Sequence, residues 1–136
     1  MPKLDKYRGM DRATLEGYTV EQTLPILTSR ARRAVKRAMA NKDKSMSIKK
    51  LMKKAAEYKK ADPTKAIRTH SREAVILPEW LGLTFAVYNG KEYKNVHVSI
   101  DKLGYRLGDF SHTTGRVLHS GPGVGATRGS KFIPLK

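Results

Sequence analysis

The sequence predicts an α+β fold, in which a small antiparallel sheet with a packed helix follows a basic helical hairpin and precedes a glycine-rich extended tail. Apolar residues recur at helical spacing within residues 29–60 and alternate with polar residues within 83–100, whereas glycine is frequent from residue 111 onward. We therefore expect a basic helical N-terminal extension at 1–65, an α+β core at 66–119 and an extended basic tail at 120–136.

A short helix is expected ahead of the basic segments. Thr19 is placed as its N-cap and Gln22 as the reciprocal partner in a capping box. The apolar face of this helix would carry Val20, Leu24 and Leu27. Pro25 should end or kink it, because proline lacks the backbone amide that a helix interior needs.

Two segments with the same apolar spacing predict the basic helical hairpin. Ser29 is placed as the cap of the first helix and Ser47 as the cap of the second, and Asp62-Pro63 would end the pair. The apolar stripes contain Ala31, Ala34, Val35, Ala38 and Met39 in the first helix, and Ile48, Leu51, Met52, Ala55 and Ala56 in the second. Because these stripes are narrow and rich in alanine, we expect the hairpin to pack closely on itself or on the core.

Positive charge is concentrated in this hairpin. The chain has 28 Lys and Arg against 12 Asp and Glu, a formal net charge of +16, and residues 29–60 hold 13 of the basic side chains against Asp43 and Glu57. A block of this kind predicts a polyanionic partner whose phosphates are neutralised by long cationic side chains. The hairpin side chains expected to bind phosphates are Arg30, Arg32, Arg33, Lys36, Arg37, Lys49, Lys50, Lys53 and Lys54.

An antiparallel strand pair is predicted after the hairpin. Alternation places Leu83, Phe85 and Val87 on one face of the first strand, and Val96, Val98 and Ile100 on one face of the second. Asn89-Gly90 lies between them and predicts a tight turn, because both residue types tolerate positive φ. A strand pair beside helices indicates the α+β class.

The sequence does not indicate catalysis, a cofactor, a metal site or a membrane partner. The five acidic residues beyond position 65 form no pair at a spacing suited to acid–base chemistry. The chain has no cysteine, and its four histidines show no metal-ligand spacing. No apolar run approaches the ~18 residues that span a bilayer, and alanine opposite the charges disfavours a membrane-surface helix. We therefore expect a non-enzymatic protein.

RNA is favoured over DNA as the polyanion. The second basic helix begins Ile48-Lys49-Lys50, which offers phosphate contacts but none of the side chains that usually read base edges in DNA. No acidic residue follows Asp109, and the glycine-rich basic tail suits an arm that orders among folded RNA. A basic DNA-compacting protein and an RNA-acting enzyme remain as alternatives.

A set of motifs in a fixed order indicates the protein family more specifically than the composition does. It contains Asn89-Gly90-Lys91, Val98 and the run Leu103–Phe110, Leu-Gly-Tyr-Arg-Leu-Gly-Asp-Phe. This pattern resembles that of the small-subunit ribosomal protein nineteen family, and Arg68–Arg72 resembles the basic segment that precedes it there. Residues 121–127 and 131–136 are similar to the tail of the archaeal and eukaryotic branch of that family. Tyr105, Trp80, Ser120 and Gly129 depart from the usual family residues.

The resemblance implies a structural constituent of the small ribosomal subunit that supports translation in the cytoplasm. Family members bind small-subunit ribosomal RNA in the head, contact ribosomal protein thirteen, lie near the aminoacyl-tRNA site and help to form a bridge to the large subunit. The core at 66–119 would then bind ribosomal RNA, and the tail would approach aminoacyl-site tRNA. The further side chains expected to bind RNA are Arg68, His70, Arg72, Lys91, Arg106, His112, Arg116, His119, Arg128, Lys131 and Lys136.

Overall fold

The computed structural model describes residues 6–40 and 46–115. Within these residues the helices are α1 (Arg12–Glu16), α2 (Val20–Thr23), α3 (Ser29–Ala40) and α4 (Met46–Ala61). The strands are β1 (Lys6–Tyr7), β2 (Met10–Asp11), β3 (Ile67–Thr69), β4 (Thr84–Tyr88) and β5 (Tyr93–His97). Short 3-10 helices form at Pro78–Trp80, Ile100–Lys102 and Leu107–Phe110. The predicted α+β class is confirmed, and the predicted tail lies outside the described residues.

The main sheet has three strands in the order β3-β4-β5. Strands β4 and β5 are antiparallel, as predicted, with Phe85 opposite Val96. Strand β3 is parallel to β4, with Ile67 opposite Phe85, so the sheet is mixed and not purely antiparallel. The sequence did not indicate β3 because three residues are too few to show alternation. Its parallel pairing needs a crossover of about a dozen residues, which residues 70–83 supply.

The turn between β4 and β5 forms at the predicted Asn-Gly pair, but the backbone conformation of Asn89 differs from the predicted one. It spans residues 89–92, with Tyr88 opposite Tyr93 at its base. Gly90 has a φ of +102°, whereas Asn89 does not take positive φ. The Asn89 Oδ1 instead accepts hydrogen bonds from the backbone N–H groups of Lys91 at 2.9 Å and Glu92 at 2.8 Å. Asparagine therefore shapes this turn through its side chain.

The N-terminal helix signals are largely confirmed. The Thr19 backbone N–H donates to the Gln22 Oε1 at 3.0 Å, as in the predicted capping box, and α2 ends at Thr23, two residues before Pro25. Leu27 is buried, with Val20 and Leu24 packed against it. The serine caps are placed differently, because α3 includes Ser29 and α4 already includes Met46 before Ser47. Such end residues are the least certain part of a helix prediction.

Helix α4 packs directly on the sheet. Leu51 and Ala55 belong to the same buried cluster as Ile67 and Phe85, and Leu15 of α1 joins them. Burying such side chains is the main favourable term in folding. The proposed boundary at residue 65 therefore separates elements that share one apolar core.

Helix α3 packs on a second, adjoining cluster. Ala31 and Val35 are buried against Leu27, Val75 and Leu77. Met52 of α4 also contacts this cluster, so the two basic helices meet over a common apolar surface. The predicted stripes thus face inward, except for Met39 and Ala56, which are exposed.

The Leu103–Phe110 motif is held against the apolar run that precedes β4. The Ile76 N–H donates to the Tyr105 carbonyl at 2.8 Å, and the Leu107 N–H donates to the Ala74 carbonyl at 3.0 Å. The Gly108 N–H continues this pairing to the Arg72 carbonyl at 2.9 Å. A Cβ at Gly108 would lie 3.0 Å from that same carbonyl oxygen, so the close approach of the two backbones requires glycine here.

We predict that Leu51→Ala lowers the free energy of unfolding by about 2–5 kcal/mol, because it leaves a cavity where α4 meets the sheet. Met39→Ala on α3 removes a side chain that is 42% exposed and should change it by no more than about 1 kcal/mol. Urea unfolding of both variants measures the difference. Equal, small effects would show that α4 is not part of the core.

Candidate nucleic-acid interface

The outer faces of α3 and α4 form a basic surface opposite the buried stripes. Lys49 and Lys54 are half-buried along their length, and the fully exposed members are Arg30, Arg33, Lys36, Arg37, Lys50 and Lys53. We call these eight residues the hairpin cations. Their exposure leaves them accessible to a partner, and RNA binding by each of them remains a prediction.

Among the described residues, no ion pair with a carboxylate involves a hairpin cation. Within residues 6–40 and 46–115, the ion pairs are Lys6 with Asp11 at 3.6 Å and Arg12 with Glu16 at 2.7 Å. Both pairs lie before α2 in the sequence, and neither includes a residue of α3 or α4. The outer surface of α3 and α4 therefore keeps a concentrated positive potential that attracts polyanions.

Arg32, predicted to bind phosphate, points back onto the protein. Its Nε donates to the Leu24 carbonyl at 2.8 Å, and a terminal nitrogen donates to the carbonyls of Pro25 and Leu27, each at 3.2 Å. These carbonyls follow the end of α2, where the helix leaves acceptors without intrahelical donors. Arg32 thus fixes the connection between α2 and α3.

Arg72, also predicted to bind RNA, holds three separate carbonyls. Its guanidinium donates to Tyr88 at the end of β4 at 2.7 Å, to Gly108 at 3.1 Å and to Ser111. The buried Ser111 hydroxyl in turn donates to the Val87 carbonyl at 3.2 Å. Arg72 therefore ties the sheet to the Leu103–Phe110 motif, and any RNA contact it makes has to use its remaining donors.

The other core residues predicted to face RNA lie at several places. Arg68 and His70 come together beside Tyr93: the Arg68 Cζ lies 5.5 Å from the tyrosine ring centre, and the His70 Nε2 lies 2.8 Å from its hydroxyl. Lys91 is exposed in the β4–β5 turn. The half-buried Arg106 lies opposite Val75, and the exposed His112 follows the last 3-10 helix. The predicted residues that fall outside the described residues are Arg116, His119, Arg128, Lys131 and Lys136.

The sequence prediction did not include Tyr88 and Tyr93. These residues are directly opposite in the β4–β5 register, and their ring centres are 5.1 Å apart. The signal for the pair was present, because the two tyrosines flank the predicted Asn-Gly turn. That His70 packs against these two tyrosines could not be predicted from the turn, because the contact depends on the parallel pairing of β3 with β4.

The described residues contain no cluster of metal-ligating side chains, no candidate membrane-spanning helix and no unpaired buried side-chain nitrogen or oxygen. Among them, no three His, Asp or Glu side chains are grouped so that they could hold a metal ion. In the same residues, no helix has the length and apolar character to cross a membrane. Every buried side-chain nitrogen or oxygen described has a hydrogen-bond partner, which leaves no buried polar atom that calls for a ligand.

A small mixed sheet that carries a pair of basic helices, with no ion pair among their described residues, is typical of a structural, polyanion-binding class of protein. Comparison with known proteins narrows this class. Residues 37–119 match the family model described as Ribosomal protein S19. The chain is 39% identical over 132 residues to small ribosomal subunit protein uS19 of one strain of Methanococcus maripaludis and 40% identical over 133 residues to that of another. Each match covers 96% of this chain and 81% of the relative. The chain therefore belongs to the ribosomal protein S19 family.

Family membership confirms the resemblance drawn from the motifs. It makes the chain a structural, non-enzymatic constituent of the small ribosomal subunit, with ribosomal RNA as its partner and the cytoplasmic ribosome as its place of action. Both relatives are archaeal, which agrees with the predicted archaeal and eukaryotic branch. The prediction of a non-enzymatic protein is confirmed, and the alternative of an RNA-acting enzyme is excluded.

We predict that Arg72→Lys lowers the free energy of unfolding by about 2–4 kcal/mol. A lysine ammonium cannot span three carbonyls with the planar geometry of a guanidinium, and hydrogen bonds from charged donors are each worth about 1.5–3 kcal/mol. Arg68→Lys, the same exchange at an exposed position on β3, should stay within about 0.5 kcal/mol. Denaturant unfolding of the two variants compares them. Similar values for both would contradict the structural role of Arg72.

Proposed function

We propose that the chain binds small-subunit ribosomal RNA in the head of the subunit, chiefly through the hairpin cations on α3 and α4. The observation that carries this proposal is the position of those cations on helices whose opposite faces are fixed in the apolar core. Because the helix backbone is already folded, the charged groups are positioned before RNA binds, and the entropic cost of binding is reduced.

Phosphate neutralisation is the proposed chemistry of this surface. Lysine and arginine side chains release counterions from the RNA backbone when they bind, which makes the affinity depend steeply on salt. Helix α4 contributes four lysines within residues 49–54, adjacent on two successive turns. Because phosphate contacts carry no base information, recognition by the hairpin depends on the shape of the folded RNA.

Further partners are proposed from the family resemblance. These are ribosomal protein thirteen of the small subunit, aminoacyl-site tRNA near the tail, and the large subunit through an intersubunit bridge. In this proposal the core at 66–119 binds ribosomal RNA together with the N-terminal extension at 1–65, and the basic tail at 120–136 is the part closest to tRNA. The predicted tail cations Arg128, Lys131 and Lys136 would lie in that arm.

For binding to a structured fragment of small-subunit ribosomal RNA, we predict a plot of log affinity against log salt that is steeper than about −4. That slope corresponds to roughly six neutralised phosphates. Replacing both Lys50 and Lys53 by Gln should make it shallower by about 0.7–0.9 for each lysine. Fluorescence anisotropy over a salt series measures both.

Lys65→Gln is the matched control, because Lys65 is exposed but lies after α4, outside the hairpin cations. Its slope should equal that of the unaltered chain. A nearly flat slope for the unaltered chain would contradict phosphate binding. Equal affinity for duplex DNA would instead favour the DNA-compacting alternative.

We predict that deletion of residues 121–136 leaves entry into the small subunit largely intact but weakens aminoacyl-tRNA binding. The hairpin cations and the core remain in the truncated chain, whereas the proposed tRNA-proximal arm is lost. Sucrose-gradient sedimentation measures entry, and a tRNA-binding assay on purified subunits measures function. Absence of the truncated chain from subunits would contradict the separation between core and arm.

A further inference from the structure

The outer face of the main sheet carries a cluster of rings beside an arginine. Alternation along the strands directs Ile67, Phe85 and Val96 into the core, and their neighbours Arg68, Ala86 and Asn95 lie side by side on the opposite face. At one end of that face His70, Tyr88 and Tyr93 pack together. We call Arg68, His70, Tyr88 and Tyr93 the aromatic platform.

The rings of the platform are held in fixed orientations. The His70 ring centre lies 4.7 Å from that of Tyr88 and 5.6 Å from that of Tyr93. The Tyr93 hydroxyl and the His70 Nε2 are 2.8 Å apart, and the Tyr88 hydroxyl donates to the Gly90 carbonyl at 2.7 Å. Beneath them, Ala86 is buried in the central strand. These contacts arrange the rings of the platform without any ligand.

Three of the four platform side chains are exposed to solvent, and Tyr88 is half-buried. Tyr93 is 39% exposed, and Arg68 and His70 are also exposed. The apolar clusters that hold the fold together lie on the other side of the sheet and do not include Tyr88 or Tyr93. Within the described residues, this aromatic surface has no role in the core.

The charge around the platform favours an anionic partner. On this face the strand residues are Arg68 of β3, Thr84, Ala86 and Tyr88 of β4, and Tyr93, Asn95 and His97 of β5, and none of these residues is acidic. The adjoining turn contributes the exposed Lys91 and Glu92, whose charges offset one another. The Arg68 guanidinium, 5.5 Å from the Tyr93 ring centre, adds a positive charge beside the rings.

We propose that the aromatic platform stacks unpaired RNA bases, as a second mode of binding beside phosphate neutralisation by the hairpin cations. Tyrosine, histidine and the arginine plane all stack on the flat faces of bases, and Arg68 can also neutralise an adjoining phosphate. Asn95, exposed on the same face with Ala86 between it and Arg68, supplies a donor and an acceptor for a base edge. The inference rests on the proposed function, because it assigns a further contact to the same RNA partner.

The two modes differ in what they recognise. Phosphates are present in paired and unpaired RNA, so the hairpin cations bind both. A base stacked within a duplex cannot lie on a protein ring, so the platform selects loops, bulges and single strands. The chain should therefore prefer unpaired RNA by a margin that depends on the platform and not on the hairpin.

A binding experiment on the full chain tests this separation. The probe is a short single-stranded RNA with one aminopurine in place of adenine, whose fluorescence falls when it stacks, and the comparison is the same strand annealed to its complement. We expect the unaltered chain to quench the single strand. Tyr93→Leu should weaken single-strand binding by about fivefold or more and reduce the quenching, with duplex binding unchanged.

Tyr105→Leu is the matched control, because Tyr105 is 55% exposed and contacts Phe110 at another surface. It should bind both RNAs as the unaltered chain does. Tyr93→Phe keeps the ring and loses the hydroxyl contact with His70, so it should retain most of the quenching. If Tyr93→Leu fails to fold in a thermal melt, Tyr93→Trp decides: tighter or equal single-strand binding supports stacking, and weaker binding overturns it.

The outcomes separate this inference from the proposed function. Salt-dependent binding of both RNAs, with no quenching and no effect of Tyr93→Leu, would overturn the platform and leave phosphate binding by the hairpin intact. Failure of the unaltered chain to bind either RNA would overturn the proposed function itself. Equal losses for Tyr93→Leu and Tyr105→Leu would show a general surface effect and overturn the platform.

Discussion

Cationic side chains that bind backbone carbonyls connect elements of this fold that are distant in sequence. Arg32 and Arg72 each bind three carbonyl oxygens, and Lys59 and Lys102 bind those of Glu79 and His97. A carbonyl accepts a hydrogen bond from a charged donor and leaves the positive charge in place. A carboxylate would neutralise that charge and weaken the positive potential of the protein surface. The protein thus uses some of its cations for structure while the positive potential needed for RNA is preserved.

The same packing that stabilises the fold also organises the two proposed binding modes. Leu51 and Ala55 fix α4 on the sheet, which leaves its lysines facing outward on a rigid helix. On the far side of that sheet, the register that buries Phe85 brings Tyr88 and Tyr93 together. In the proposed mode of binding, the helical layer would contact RNA phosphates and the outer sheet face would contact unpaired bases.

Periodicity explains how much of this could be predicted from the sequence. The helical stripes, the β4–β5 pair and the motif Leu103–Phe110 are local patterns, and the structure and the family confirm them. Strand β3 is too short to show a pattern, and the partners of Arg72 lie 16–39 residues away in sequence. Residue type alone cannot separate an arginine that binds RNA from one that binds carbonyls, so Arg32 and Arg72 were assigned together with the exposed cations.

The most direct test of the account is sedimentation of a cell extract through a sucrose gradient, with the chain detected before and after RNase treatment. The account predicts that the chain migrates with small subunits and whole ribosomes, and that RNase releases it, because its charge is balanced by RNA. Migration at the top of the untreated gradient, or with chromatin in an RNase-resistant form, would contradict ribosomal RNA as the partner of the basic surface.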